Sequence, residues 1–205
     1  MEINPCNSCW TCWREGSEDS CPHKDDFCKL LEVYKRTDYL LLATPLYFYS
    51  FPGPLKTLID RFFIQFEPSQ LEDKNGMSTH PMRFFREMKS VLIASCGFAE
   101  LENFDMLKQH YRVIAAHMDW QNAGEVFIPA SGIANAPKLF DEKYELLKQA
   151  GSELKESIIR EPTRQAISAP VMSARDYRKM ASAHFEGGIL SKARMIGLTM
   201  KAIHR

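Results

Sequence analysis

The sequence predicts an α/β protein with a parallel sheet of about three strands, covered by helices on both faces. Three apolar runs lack the in-and-out alternation of a half-exposed strand, as expected for strands buried on both sides. These runs are residues 39–48, 90–98 and 124–132. Each is followed by a helical pattern, so strand and helix alternate in the manner of right-handed βαβ units.

The helical patterns follow from apolar residues spaced three and four positions apart. Residues 53–66 carry one broad apolar face, and Pro54 suits the first turn of a helix. Residues 102–118 and about 137–160 show similar amphipathic spacing. In doubly wound sheets, ligands bind beyond the carboxyl ends of the strands, so the loops after the three apolar runs are the candidate binding segments.

The chain is predicted to divide into one α/β domain over residues 1–160 and a helical, basic extension over residues 161–205. Residues 67–88 lie between elements and are predicted to form an exposed insertion. Residues 171–205 hold seven Lys or Arg against two acids, although the whole chain balances 26 basic against 26 acidic side chains. Basic residues at helical spacing indicate a solvated helix face rather than a nucleic-acid site.

Nothing in the sequence indicates a membrane segment or an export signal. No apolar run reaches the ~18 residues of a membrane-spanning helix, and the first residues lack the pattern of a signal peptide. The protein is therefore expected in the cytoplasm, without a membrane or nucleic-acid partner. Thiols stay reduced in that compartment, so clustered cysteines favour metal ligation or catalysis over disulfides.

Four of the six cysteines lie within sixteen residues near the start of the chain, at Cys6, Cys9, Cys12 and Cys21. Three thiolates in seven residues, with a fourth beyond a short loop, favour an iron-sulfur cluster of the 4Fe-4S type. Zinc more often uses two separated pairs of ligands. Zinc and uncommitted thiols remain the alternatives, and the thiols include a Cys-x-x-Cys redox pair.

One segment resembles a known family. The stretch TPLYFYSFPGPLKTLIDRF at residues 44–62, preceded by CPHKDD at 21–26, resembles the NAD(P)H-dependent FMN reductases of flavodoxin-like fold. Iron-sulfur flavoproteins in that superfamily carry a compact cysteine triple and a fourth cysteine shortly before an Asp-Asp pair. Here Cys21 precedes Asp25 and Asp26. The resemblance covers about residues 4–160 and implies FMN, an iron-sulfur cluster and NAD(P)H as electron donor.

The resemblance implies a flavin site at the ends of the first two strands. Its implied residues are Thr44, Pro45, Leu46, Tyr47, Phe48, Cys96 and Gly97. Tyr47 and Phe48 are expected to stack on the isoalloxazine ring, and Gly97 is expected to let the backbone approach it closely. The alternatives are ordinary core aromatics and, at Cys96, a small buried apolar residue. No catalytic residue is predicted.

Members of the family usually begin with a strand, a Gly/Ser/Arg-rich loop for the flavin phosphate and a second strand. The sequence starts after these elements, and no Gly-rich loop occurs elsewhere, so an N-terminally truncated sheet is expected. The strand at residues 39–48 would then be an unpaired apolar edge. A second copy, a partner chain or the segment 161–205 is expected to cover it.

The function implied by the resemblance is that of a flavin-dependent oxidoreductase. It would pass electrons from NAD(P)H through FMN to an iron-sulfur cluster or a small-molecule acceptor. The alternative is a non-enzymatic interaction module, zinc-bound or metal-free, that keeps half of a flavodoxin-like domain. Lys56, Asp60 and Arg61 match a helix of the family, and their expected role is structural. His110 and His117 are likewise expected to be structural.

Overall fold

Three parallel strands form the central sheet of the molecule. The structure is a computed structural model, and the residues it describes are 1–17, 20–73, 76–133 and 138–186. Strand β1 (Tyr39–Pro45) pairs with β4 (Met88–Ser95), and β4 pairs with β5 (Trp120–Ile128). The strand order is therefore β1-β4-β5, with both pairings parallel, as predicted.

The remaining elements flank this sheet or connect its strands. The helices are α1 (Thr11–Arg14), α2 (Phe27–Tyr34), α3 (Gly53–Arg61), α4 (Asp105–His117), α5 (Asp141–Glu153), α6 (Glu161–Ser168) and α7 (Ala174–Glu186). A short hairpin of β2 (Leu71–Glu72) and β3 (Ser78–Thr79) precedes β4. Among the described residues, no helix is both long and apolar enough to cross a membrane.

Alternate residues of the strands face two hydrophobic clusters. On one face, Leu42 and Leu92 pack with side chains of α2, α3 and α4, and Tyr111 of α4 is fully buried. On the other face, Val91 and Val126 pack against α5 and α6. Helices therefore cover both faces, and the predicted α/β class is confirmed.

Several element boundaries differ from the sequence prediction. The three strands end at Pro45, Ser95 and Ile128, before the predicted ends at residues 48, 98 and 132. Strand β5 begins at Trp120 rather than at residue 124, because its indole Nε1 donates to the buried Tyr34 hydroxyl at 2.8 Å. The helix predicted over 137–160 was too long, since α5 gives way to a single 3-10 turn at Leu154–Glu156. Ser157, with a φ of 75°, ends that turn.

The segment predicted as an exposed insertion is exposed only in part. Its hairpin is largely exposed, but Met82 and Phe84 pack against the main cluster. Phe66 and Met82 also form an isolated antiparallel bridge. The end of the insertion is therefore fastened to the domain.

The described part of the C-terminal extension packs against the α/β unit. Ile167 of α6 is fully buried in the cluster that covers β5. Tyr177 and Met180 of α7 pack with Ala130 and Ile133, which follow β5. A domain boundary at residue 160 stays a prediction, and residues 187–205 of the predicted extension lie outside the described residues.

Strand β1 lies at an edge of the sheet, since its pairing within the described residues is with β4 alone. The strand carries no charged side chain, and Leu41 and Ala43 are exposed. Because such edges pair readily with further strands, we expect the purified protein to assemble through β1 as two or more copies. Light scattering should then give at least twice the 23.6 kDa of one chain.

The substitution Leu41→Lys is expected to lower that mass to one chain, because a charge on an edge strand opposes pairing. Val113→Lys is the matched control, since Val113 is an exposed apolar residue on α4, away from the edge. A single-chain mass for the unmodified protein, with rapid hydrogen exchange over residues 39–45, would contradict the prediction.

Candidate functional site

The first candidate site lies where β1 and β4 end. Parallel pairing joins Pro45 to Ser95 in the register, and the Leu46 N–H donates to the Ser95 carbonyl at 2.7 Å. The loops that follow the two strands are therefore neighbours at one edge of the sheet. This juxtaposition is the one predicted from the sequence.

A tight turn follows β1. The N–H of Tyr47 donates to the Ser50 carbonyl at 3.3 Å, and the Ser50 N–H donates back at 3.1 Å. Between them, Phe48 and Tyr49 both have positive φ, at 46° and 64°. Two positive φ angles are typical of a type I′ turn, which normally uses Asn and Gly. Aromatic residues there cost on the order of 1–3 kcal/mol each, and such strain is concentrated at functional sites.

The turn presents aromatic rings to solvent. Tyr47 is 61% exposed and Phe48 is 100% exposed, which excludes the alternative that they are core aromatics. Thr44 is buried beneath the turn, where its hydroxyl donates to the Pro45 carbonyl at 2.9 Å, and Leu46 packs partly against the main cluster. The site is therefore an open shelf edged by rings rather than an enclosed pocket.

The loop after β4 forms the other side of this shelf. Cys96 is buried, and burial raises the pKa of its thiol, whose Sγ accepts the Phe98 N–H at 3.3 Å. Gly97 is exposed, and a side-chain carbon built on it would meet nothing within 4 Å. The Tyr177 hydroxyl donates to the Gly97 carbonyl, and the Ser131 hydroxyl donates to the Cys96 carbonyl at 3.0 Å. Hydrogen bonds from Ser131 and Tyr177 thus fix the loop, and the space beside the Gly97 Cα is open.

His110 supports the aromatic turn from α4. Its Nδ1 lies 3.0 Å from the Ser50 hydroxyl, and its ring packs against Phe51 with centroids 5.2 Å apart. Burial lowers the pKa of this histidine, and the charge of nearby Lys56 lowers it further. The structural role expected for His110 is therefore found, at a position that fixes the turn.

The second candidate site is a small cavity of about 30 Å³ lined by all four N-terminal cysteines. Within the described ranges, no three side chains of the usual metal-ligating types lie close enough together to hold one metal ion. A single tetrahedral zinc needs every thiolate sulfur about 2.3 Å from one point. In a four-iron cluster each thiolate binds a different iron, so the sulfurs stand farther apart. The four cysteines therefore share one cavity, but they do not form a ready-made site for a single metal ion.

Hydrogen bonds reach two of these sulfurs. The Thr11 hydroxyl donates to Cys9 Sγ at 3.3 Å and thereby lowers the pKa of that thiol. The Nη2 of Arg61 donates to Cys21 Sγ at 3.4 Å. At Cys12, burial raises the thiol pKa. The hydrogen bonds from Thr11 and Arg61 favour the thiolate form of their acceptors, which is the form that binds metals.

Arg61 is part of a buried ion pair beside the cavity. Its Nη1 lies 2.6 Å from Asp25 Oδ2, and the two side chains are only 2% and 1% exposed. Burial alone would raise the pKa of Asp25, but hydrogen bonds from Arg61 and from the N–H groups of Asn4 and Phe27 lower it to about 2. Arg61 therefore has the structural role that was expected, but its ion pair is buried rather than at the helix surface.

Aromatic rings wall one side of the cysteine cavity. Trp13 stacks on Phe63 with ring centroids 4.6 Å apart, and His80 lies 4.9 Å from Trp13 on the insertion. Trp10 meets Phe63 edge-on at 5.5 Å. Trp10 and Phe63 therefore line the cavity, and Trp13 packs against Phe63 without lining it.

The match to a protein family covers more than half of the chain, because residues 3–131 match the NADPH-dependent FMN reductases. The chain belongs to this family. The FMN reductase resemblance stated from the sequence is thereby confirmed. One solved structure with a similar fold is an FMN-dependent NADH-azoreductase of Bacillus anthracis in complex with FMN. The alignment covers 75% of this chain and 76% of the azoreductase, with 12% sequence identity and a TM-score of 0.52. This likeness supports the assignment of the fold.

Curated relatives of this FMN reductase family member include iron-sulfur flavoproteins. One from Methanocaldococcus jannaschii is 40% identical over 60 residues, which cover 29% of this chain and 30% of the relative. Another, from Archaeoglobus fulgidus, is 32% identical over 77 residues, which cover 38% of this chain and 34% of the relative. The chain thus matches about a third of the length of these relatives.

Proposed function

We propose that this chain is a flavin-dependent oxidoreductase that takes electrons from NAD(P)H through FMN to an iron-sulfur cluster or a small-molecule acceptor. The observation that carries the proposal is the strained, exposed aromatic turn beside the open backbone of Gly97. A bound FMN would accept a hydride, which is two electrons and one proton, from the reduced nicotinamide and release the electrons to the acceptor. The family membership supports this assignment.

In this proposal the chain binds and orients the flavin ring. Tyr47 and Phe48 offer ring faces for stacking, which exclude water from one side of a planar ligand. Gly97 leaves room for that ligand, because no side chain projects from it. The hydrogen bonds of His110 to Ser50 and of Tyr177 to the Gly97 carbonyl hold the two loops in place. Preformed loops lower the entropy cost of binding.

The four cysteines are proposed to hold a 4Fe-4S cluster. The cavity that they share supports this ligand set, and the names of the curated relatives support an iron-sulfur cluster. Arg61 and Thr11 donate to two of the sulfurs, and such donors tune the reduction potential of a cluster. Free thiolate ligands require a reducing compartment, so a cytoplasmic location is part of the proposal.

Gly97→Val tests the flavin site. We expect the variant to bind FMN at least about tenfold more weakly than the unmodified chain, because a branched side chain would occupy the space left for the ring. Its folding should be unchanged, since no atom lies within 4 Å of the added carbon and the backbone there has no positive φ. Quenching of FMN fluorescence during titration measures the affinity, and thermal unfolding measures the stability.

Gly151→Val is the matched control. Gly151 lies in α5, and a carbon added there also meets nothing within 4 Å, but it is remote from the strand tips. The control should bind FMN like the unmodified chain. Equal FMN affinity in the two variants would show that Gly97 does not border the flavin, and no FMN binding by the unmodified chain would refute the proposed function.

A further inference from the structure

Arg83 reaches the cysteine segment from the end of the insertion that precedes β4. Its Nη1 donates to the Gly16 carbonyl at 2.7 Å, and its Nη2 donates to the Cys12 carbonyl at 3.1 Å. The side chain is 9% exposed. A nearly buried guanidinium therefore joins the backbone within α1 to the backbone just after it.

The position of Arg83 is itself fixed by pairing within the insertion. Its N–H donates to the Gln65 carbonyl at 2.7 Å, and the Glu67 N–H donates to the Pro81 carbonyl at 2.8 Å. The Glu67 carboxylate lies 3.5 Å from Arg83 Nη1. Residues 65–67 and 81–83 are therefore joined by two backbone hydrogen bonds, which fix the backbone from which the Arg83 side chain extends.

A second arginine holds the other side of the cysteine segment. Arg61 Nη1 donates to the Asn4 carbonyl at 2.8 Å and pairs with Asp25, while its Nη2 reaches Cys21. Between these two anchors the backbone is irregular, with positive φ at Ser8 and Trp10. The geometry of the cysteines therefore depends on contacts supplied from outside their own segment.

We propose that Arg83 is a positioning residue for the cluster assigned to the four cysteines. It fixes the carbonyl of Cys12, and with it the direction of that side chain, and it brings a positive charge to a site where thiolates concentrate negative charge. Outer-shell donors of this kind are generally needed for tight metal binding. This inference rests on the proposed function, because it assumes that the cysteines hold a cluster.

The test compares Arg83→Met with Arg83→Lys and Arg86→Met after anaerobic reconstitution with iron and sulfide. Arg86 is the matched control, since it lies three residues away and makes an exposed ion pair with Asp38. We expect Arg83→Met to lose iron to a chelator about 10- to 100-fold faster than the unmodified chain. Arg83→Lys should be intermediate and Arg86→Met unchanged. The reduction potential of retained cluster should fall in Arg83→Met, because a positive charge is removed.

A second measurement uses the metal-free chain and so does not depend on cluster loading. Alkylation over a range of pH, followed by peptide mass spectrometry, gives the rate per thiolate at each cysteine and so corrects for the charge of Arg83, which also lowers the pKa of the Cys12 thiol. That rate should become several-fold faster at Cys12 in Arg83→Met and stay unchanged at the exposed Cys28. Circular dichroism establishes that the variants are folded.

An unchanged alkylation rate per thiolate at Cys12 in Arg83→Met would overturn the positioning role. Iron retention and potential equal to those of the unmodified chain would overturn it too. An unmodified chain that holds no iron would refute the cluster, and the inference with it, whereas a loaded chain with an unaffected Arg83→Met refutes the inference alone.

Discussion

The substitution Cys12→Ser is expected to lower bound iron from about four atoms per chain to less than one after anaerobic reconstitution. Cys12 is half-buried in the shared cavity, and a serine hydroxyl is a poor substitute for a thiolate ligand. Losing one of four ligands leaves an iron atom open to solvent and to chelators. Iron and acid-labile sulfide analysis, together with the absorption spectrum, measures the effect.

Cys28→Ser provides the matched control. Cys28 is exposed on α2 and is absent from the lining of the cysteine cavity, so its removal should leave iron binding unchanged. Equal iron in the two variants would contradict the ligand assignment. About one zinc per chain, with neither iron nor flavin bound, would instead favour the interaction module considered in the sequence analysis.

The substitution Asp25→Asn is expected to destabilise the fold by about 3–5 kcal/mol, because it leaves the buried guanidinium of Arg61 without its counter-charge. The pair is almost wholly shielded from solvent, so water cannot replace the lost carboxylate. Urea denaturation followed by circular dichroism gives the change in unfolding free energy. Asp60→Asn is the control, since Asp60 pairs with Lys56 at the surface and should cost about 0–1 kcal/mol.

The same ion pair predicts a pH dependence. Asp25 has a pKa of about 2 in the folded chain against an ordinary value of 3.8, so the unfolded chain binds the proton more tightly. Ionised Asp25 therefore contributes about 2.5 kcal/mol to the free energy of unfolding. This contribution is complete above about pH 4 and is lost as the pH falls toward 2. Asp25→Asn should remove this acid-sensitive component. A variant as stable as Asp60→Asn, with an unchanged acid profile, would contradict the assignment.

The fold could be predicted because its signals are local. A hydrophobic pattern within about ten residues of sequence indicates each of the three buried strands and each amphipathic helix. The misplaced boundaries depend on contacts made elsewhere in the fold. The start of β5 at Trp120 depends on a hydrogen bond to Tyr34, which lies 86 residues earlier in the chain. The end of the helical segment after α5 depends on the left-handed backbone at Ser157.

The candidate sites were predictable only in part. The resemblance made Tyr47 and Phe48 candidates, and spacing together with the resemblance made the four cysteines candidates, because both patterns lie within short stretches. It could not identify the residues that hold those stretches. His110, Tyr177 and Arg83 act on partners 60, 80 and 71 residues away, and no spacing in the sequence reports such distances. The loop predicted after β5 is known only in part, since residues 134–137 lie outside the described residues.

Helix α3 joins the two candidate sites directly. It starts at Gly53, just beyond the aromatic turn, and ends at Arg61, whose guanidinium contacts Cys21. Nine residues at about 1.5 Å each make a stiff rod of about 13 Å. Helix α3 therefore fixes the distance between the proposed flavin site and the proposed cluster site. One residue inserted in it would lengthen the spacing by about 1.5 Å and turn Arg61 by about 100° away from the sulfur. If the proposed electron route holds, the length of α3 would therefore constrain the transfer of electrons between the two sites.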